Sequence, residues 1–188
     1  WDQGLFQDSD YKQTHQDIWQ EARRTTATNA DLEELVDIAS AGLKADQVIA
    51  SGLNFPTWQS RVSEMRTWVV NRARYLDNQY EPLPTLSPES GLFVSNLEVS
   101  MTPTSGGTIH YTTDGRDPRA TGGSLSTSAL TYTSPLNITS RTSIIARTKD
   151  GSRWSGPVTR NFYRNSENPR LVVSEINYHP GDPSASEV

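Results

Sequence analysis

The chain has no cysteine in its 188 residues. That excludes disulfide staples, thiolate zinc sites and a cysteine nucleophile, and it leaves the redox compartment open. No apolar run approaches the roughly 20 residues that span a bilayer as a helix, so no membrane span is expected. Histidine is scarce, and His15, His110 and His179 fall in separate segments without a metal-holding spacing such as HxxxH or HExxH. A glycine-rich phosphate loop, a GxSxG elbow and a lysine in a nucleotide setting are all missing. A basic surplus is missing too: the net charge is −5, which repels phosphate backbones and argues against nucleic acid as a partner. No enzyme activity and no cofactor are expected of these residues.

What is present is enough for packed interiors. Apolar residues make up only 34%, but five Trp, seven Tyr and four Phe supply bulky surface. The length suits one ordinary domain or two small ones. Residues 1–81 hold 13 Asp/Glu against 8 Lys/Arg, while residues 82–188 hold 9 of each, so all the net charge lies in the first part. Trp1 and the closing "PSASEV" both read as internal to a longer chain, with any targeting signal upstream.

The first 81 residues carry helical periodicity. With Asp8 or Ser9 as cap, Tyr11, His15, Ile18 and Ala22 line one face of a first helix. In "TNADLEELVDIASAGL", Thr28 with Asp31 three residues on makes a capping-box start. Leu32, Leu35, Val36, Ala39 and Leu43 follow on one side. A third helix opens near Pro56 and Thr57, where the first turn tolerates proline, and carries Val62, Met65, Val69, Ala73, Leu76 and Tyr80 on one face. "EPLPTLSP" ends it, and its three prolines predict a semi-rigid linker over 82–88.

Beyond it the texture changes to Ser, Thr, Gly and short β-branched runs. "GLFVSNLEVSMTP", "GTIHYTTD", "ALTYTSPLNIT", "TSIIARTKDGSRWS" and "VTRNFYR" are strand candidates separated by turn residues, the pattern of a small sandwich. The fold class expected is therefore α plus β in separate segments: about three helices, then an antiparallel Ig/Fn3-like β-sandwich over 89–166. "GRDPRATGGSLSTSA" reads as an exposed, mobile polar loop. "PRLVVSEINYHPGDP" adds one strand, Leu171–Tyr178.

Two groups of residues invite a chemical reading. Asp114 and Asp117 in "IHYTTDGRDP" resemble a small acidic pair for a metal or for acid/base work. The turn reading is the better one: Asp114 and Gly115 suit a type I′ hairpin, and the Asp117 carboxylate accepts from backbone N–H groups two residues on while Pro118 fixes φ. Two carboxylates are also too few oxygen ligands for calcium. Trp154 and Tyr132, with Phe162 and Tyr163, are candidates for a sugar-stacking platform, against the commoner fate of such rings in a sandwich core.

The segment "GGTIHYTTDGRDPRATGG", continuing through "SIIARTKDGSRWSGPVTRNFY", resembles the chitobiase/β-hexosaminidase C-terminal type of Ig-like module. Its marks here are Tyr111, Thr112, Asp114, Gly115 and Pro118, then Ala146 and Arg147, then Trp154 and Ser155. "LVVSEINYHP" is similar to the first strand of a lamin-tail-type domain, truncated over 167–188. "GLFQDSDYKQTHQDIWQEAR" with "SRVSEMRTWVVNRARYLDNQY" is similar to the helical C-terminal end of a spore-coat CotH-kinase-like domain. The resemblances imply a non-catalytic accessory piece of a large secreted or surface bacterial protein, extracellular, with the Ig-like module as a spacer or presenting module. Its partners would be neighbouring domains of the same chain and, in an alternative reading, a polysaccharide. The other alternative is the tail of a CotH-type kinase whose active site lies upstream.

Overall fold

A computed structural model describes residues 7–42 and 55–165, with the isolated positions 4, 50 and 52. The expectations for Trp1, Leu43, His179, the strand Leu171–Tyr178 and the lamin-tail-type start at 167–188 lie outside the described residues.

Among the described residues, three helices precede a β-sandwich. Helix α1 spans Ser9–Thr25, α2 Asn29–Ala41 and α3 Phe55–Asp77. Asp8 caps α1: its Oδ1 accepts from the N–H groups of Asp10 and Tyr11 at 2.7 and 3.1 Å, satisfying donors that have no intrahelical partner. Thr28 and Asp31 form the reciprocal capping box of α2, at 3.3 and 2.8 Å. The Thr28 hydroxyl and then its N–H hold the Asp31 carboxyl below its ordinary range.

The apolar face expected to bury α1 does not do so. Ile18 is 66% exposed, Tyr11 and His15 are also on the solvent side, and the buried residues of α1 are Gln13 and Gln16. Helix α2 packs against α3, where Val36, Ala39, Trp58 and Val62 line a shallow apolar groove of about 390 Å³. Leu35, Ile38, Met65 and Trp68 remain more than half exposed. On α3 the buried positions are Val70 and Ala73.

The strands are β1 Thr85–Ser87, β2 Gly91–Phe93, β3 Leu97–Thr102, β4 Thr108–Thr112, β5 Leu130–Thr131, β6 Leu136–Ile138, β7 Thr142–Asp150, β8 Arg153–Trp154 and β9 Val158–Arg164. One sheet has the order β1-β3-β6; the other runs β2-β9-β7-β4-β5, with β8 paired to β7. Only the β2–β9 pair is parallel among them. Leu86, Val99, Met101 and Ile138 from the first sheet meet Ile109, Tyr111, Ile144, Ala146, Val158 and Phe162 from the second to form the core. Inward residues alternate along each strand, as in aligned sandwiches.

Three sequence expectations are corrected here. The stretch 82–88, expected as a semi-rigid linker, is instead part of the sandwich: β1 lies within it, pairs antiparallel with β3, and buries Leu86 to 2% exposure. The strand Thr85–Ser87 itself contains no proline: Pro84 and Pro88 flank it, so every residue of this edge strand keeps its backbone N–H. The loop after β4, expected to be exposed, is exposed only in part: Thr121, Ser124 and Leu125 face solvent, but Pro118 is fully buried and a short 3-10 helix, Thr121–Gly123, contacts α1. Asp114–Gly115 is a turn but not a type I′ hairpin: among the described residues only glycines have positive φ, Gly115 at 77°, and β4 pairs with β5 only after the long loop. Asp114 instead accepts from the Arg116 N–H at 3.0 Å, while the Gly115 N–H donates to the Ser143 carbonyl at 3.1 Å.

Candidate functional site at the helix-sandwich junction

Strand β4 shows how the site arises. Ile109 and Tyr111 face the core, as the alternation requires, yet His110 and Thr112 on the opposite face are buried as well. That outer face of the larger sheet is covered by the 113–129 loop and by α1. Register places Arg147 beside His110, and Trp154 beside Lys149, on this same outer face.

Arg147 is the centre of the junction. Its side chain is 3% exposed. Nε and one terminal nitrogen donate to the two Asp117 oxygens at 2.8 and 2.5 Å. The same guanidinium donates to both oxygens of Asp17 on α1 at 2.8 and 2.7 Å, and to the Ser155 carbonyl at 2.7 Å. Burial by itself would make the guanidinium easier to deprotonate. The bonds to Asp17 and then Asp117 outweigh that and hold it more firmly protonated than usual. A planar, five-donor guanidinium suits this double bidentate clamp in a way that a lysine does not.

The polar stripe Asp10, Gln13, Asp17 and Gln20, spaced by three, four and three residues, is the face that α1 turns to the sandwich. Gln13 donates to Asp17 at 2.8 Å and to the Ser155 carbonyl at 3.2 Å. Gln16 donates to the Trp154 carbonyl at 2.8 Å, and Gln20 donates to the Glu81 carbonyl at 2.8 Å while accepting from the Gly156 N–H at 2.6 Å. Asp10 accepts from the Gly122 N–H at 2.9 Å and pairs with Arg119 at 2.6 Å; these two contacts, the backbone one first, hold its carboxyl below the ordinary range. A Cβ at Gly156 would stand 2.7 Å from the Gln20 Oε1 and 3.2 Å from Leu83, so the Gln20 amide would have to move from its bonded position.

At the far end of α1, Trp19 and Arg23 both bond Asp77 of α3, at 2.9 and 3.1 Å. His15 meets the Tyr80 hydroxyl at 3.0 Å. Helix α1 is thus hydrogen-bonded to both the helical segment and the sandwich.

The residues singled out from the sequence take clear places. Asp117 does accept the Arg119 N–H at 2.8 Å, as turn chemistry requires, but its carboxylate is also a counter-ion of Arg147. Asp114 makes its own turn and lies 3.8 Å from Arg116, so the two aspartates serve different partners and do not converge. Trp154 is no stacking platform: it is 2% exposed, donates its indole N–H to the Gly123 carbonyl at 2.8 Å, and packs beside His110 with ring centres 5.7 Å apart. Tyr132 is half-buried in an edge contact with Tyr111, and Phe162 is core, so no sugar-stacking row forms from these rings.

Sequence reasoning missed Asp17, Gln13 and Gln20, and it took Arg147 and Ser155 as marks of the resemblance without seeing that they meet α1. A signal existed in the amide and carboxylate repeat along α1. Periodicity rules, however, assign such a stripe to solvent.

The fold is an Ig-like β-sandwich carrying a helical segment on one face. Residues 88–160 match the model of the chitobiase/beta-hexosaminidase C-terminal domain family. The sandwich extends beyond that match at both ends, taking in β1 and the rest of β9. No curated protein and no solved structure matches the chain. No helix among the described residues is long and apolar enough to cross a membrane.

Proposed function

We propose that this chain is a non-catalytic accessory unit of an extracellular multidomain protein, in which the Ig-like module and the helical segment are locked together to space and present neighbouring domains. The observation that carries the reading is the Arg147 clamp, which joins Asp117 of the module to Asp17 of α1. A tether of flexible linker would let the two parts rotate independently. A buried guanidinium shared by two carboxylates sets one orientation, because tilting the helix would strip a buried charge of a partner. Rotational diffusion measured by NMR relaxation tests it. One common correlation time for helices and strands is expected, and separate times would refute the reading.

A second reading is favoured by one observation. The helices leave Ile18, Leu35, Ile38, Met65 and Trp68 largely exposed, a pattern expected of a helical segment that completes a larger domain. This supports the resemblance to the helical end of a CotH-kinase-like domain, with the catalytic residues outside this chain. Thermal unfolding with and without Mg-ATP tests that placement of the catalytic residues. No shift is expected, and a clear stabilisation would place nucleotide-binding residues within these 188.

A further inference from the structure

An open groove of about 990 Å³ lies where α1, the end of α3 and the β7–β8 hairpin meet. Its described lining includes Lys12, Arg119, Lys149 and Arg153 and contains no carboxylate, although the chain as a whole carries −5. The positive charges are incompletely matched. Arg119 pairs with Asp10 just outside the lining, and its Nε–H, buried, has no acceptor among the described residues. Arg153 reaches Glu81 only at 3.9 Å. The Lys149 ammonium bonds the Gly151 carbonyl at 2.6 Å and sits 5.7 Å above the Trp154 ring. Lys12 is exposed and has no ion-pair partner among the described residues.

From this charge distribution we infer that the groove binds an acidic saccharide through carboxylate or sulfate groups on its sugar rings. The space is at the upper end of sites that enclose an organic ligand, roughly 300–1,000 Å³, and so is built for more than one inorganic anion. Gln79 and Ser152 line the groove together with the cations, offering amide and hydroxyl partners for ring hydroxyls. A nucleic acid fits less well. Base stacking needs exposed aromatic faces, and of the groove's rings Trp154 is buried while Tyr80 is half-buried and held against His15. The negative charge elsewhere on the chain also opposes a long phosphate backbone.

Affinity electrophoresis of the 188-residue chain through gels containing polygalacturonate, heparin or dextran tests the inference, with oligothymidylate as competitor. Retardation by polygalacturonate or heparin and none by dextran is expected, lost as salt rises from about 0.05 to about 0.5 M. The two acidic glycans separate carboxylate from sulfate recognition. The double variant Lys12→Glu/Lys149→Glu, and Arg153→Glu alone as a change that spares the Lys149 contact with the Trp154 ring, should each weaken retention about tenfold or more, which is about 1.4 kcal/mol by the affinity relation. Arg61→Glu, on α3 beside the apolar groove, should leave it unchanged, with all variants melting cooperatively. No retardation by either acidic glycan at low salt, retention indifferent to the groove variants, or tighter binding of oligothymidylate would each overturn the inference. Any of these would leave the single correlation time of the locked unit untouched, so the two readings fail separately.

Discussion

Arg147 on β7 and Asp17 on α1, 130 residues apart in sequence, are joined by two parallel hydrogen bonds of 2.8 and 2.7 Å. This pair couples the helical segment to the sandwich, and Asp117 completes it from the other side at 2.5 Å. Strong coupling comes from geometry: each carboxylate receives a bidentate fork, and the guanidinium has little access to water.

Asp17→Ala should lower stability by about 1–3 kcal/mol, the cost of leaving a charged hydrogen-bond donor short of a partner. The loss should fall below the roughly 3–5 kcal/mol of a fully buried pair, because Asp17 is 24% exposed and Asp117 stays with Arg147. Urea unfolding measures it. A change within error would mean that α1 docks by other contacts.

Gly156→Ala should loosen the junction. The added methyl meets the Gln20 Oε1 at 2.7 Å, and the displaced amide gives up bonds to both Gly156 and Glu81. A cost of about 1–3 kcal/mol is expected for such overpacking. Amide exchange should accelerate in α1 while the β7–β9 ladder stays protected, and unchanged protection in α1 would count against the steric argument.

Trp154→Ala should destabilise the module by about 3–5 kcal/mol, as loss of a buried large side chain does, because the indole packs on His110 and anchors Gly123. Trp68→Ala, at a position 61% exposed, should change stability by less than about 0.5 kcal/mol. Comparing the two melting curves checks both. Equal effects would contradict the burial assigned to Trp154.

Stability should fall with acid through His110. Burial, and then the nearby Lys149 charge, hold its imidazole below the ordinary value of 6.5. The unfolded chain therefore takes up this proton first as pH drops. The native state loses ground from about pH 6.5 downward, until the folded group also titrates, with no effect from this residue above that window. Denaturation midpoints between about pH 8 and about pH 5 should fall for the natural chain and fall less for His110→Gln. Equal slopes would show that His110 titrates freely.

The local elements were legible in the chain. Thr28 and Asp31 announce the start of α2, and the alternation in "TIHYT" announces β4 with Ile109 and Tyr111 inward, because caps and strand periodicity depend only on near neighbours. The words that carry the family resemblance were legible too, and each has a place in the fold. Gly115 turns the chain at positive φ, Ala146 is core, Ser155 is fully buried, and Arg147 holds the helix.

Other facts were out of reach. Leu86 reads as part of a proline-rich linker until β3 supplies its partner. Asp10, Gln13, Asp17 and Gln20 read as a solvent face, and Ile18 as a buried one, yet the structure reverses the two. Hydrophobic periodicity is a property of the helix alone, and it settles that α1 is a helix. Which face is covered depends on whether distant donors and acceptors meet it with good geometry. A stripe of amides and carboxylates can be buried only where Arg147, the Trp154 and Ser155 carbonyls and the Gly156 N–H are waiting, and only the tertiary fold brings them there.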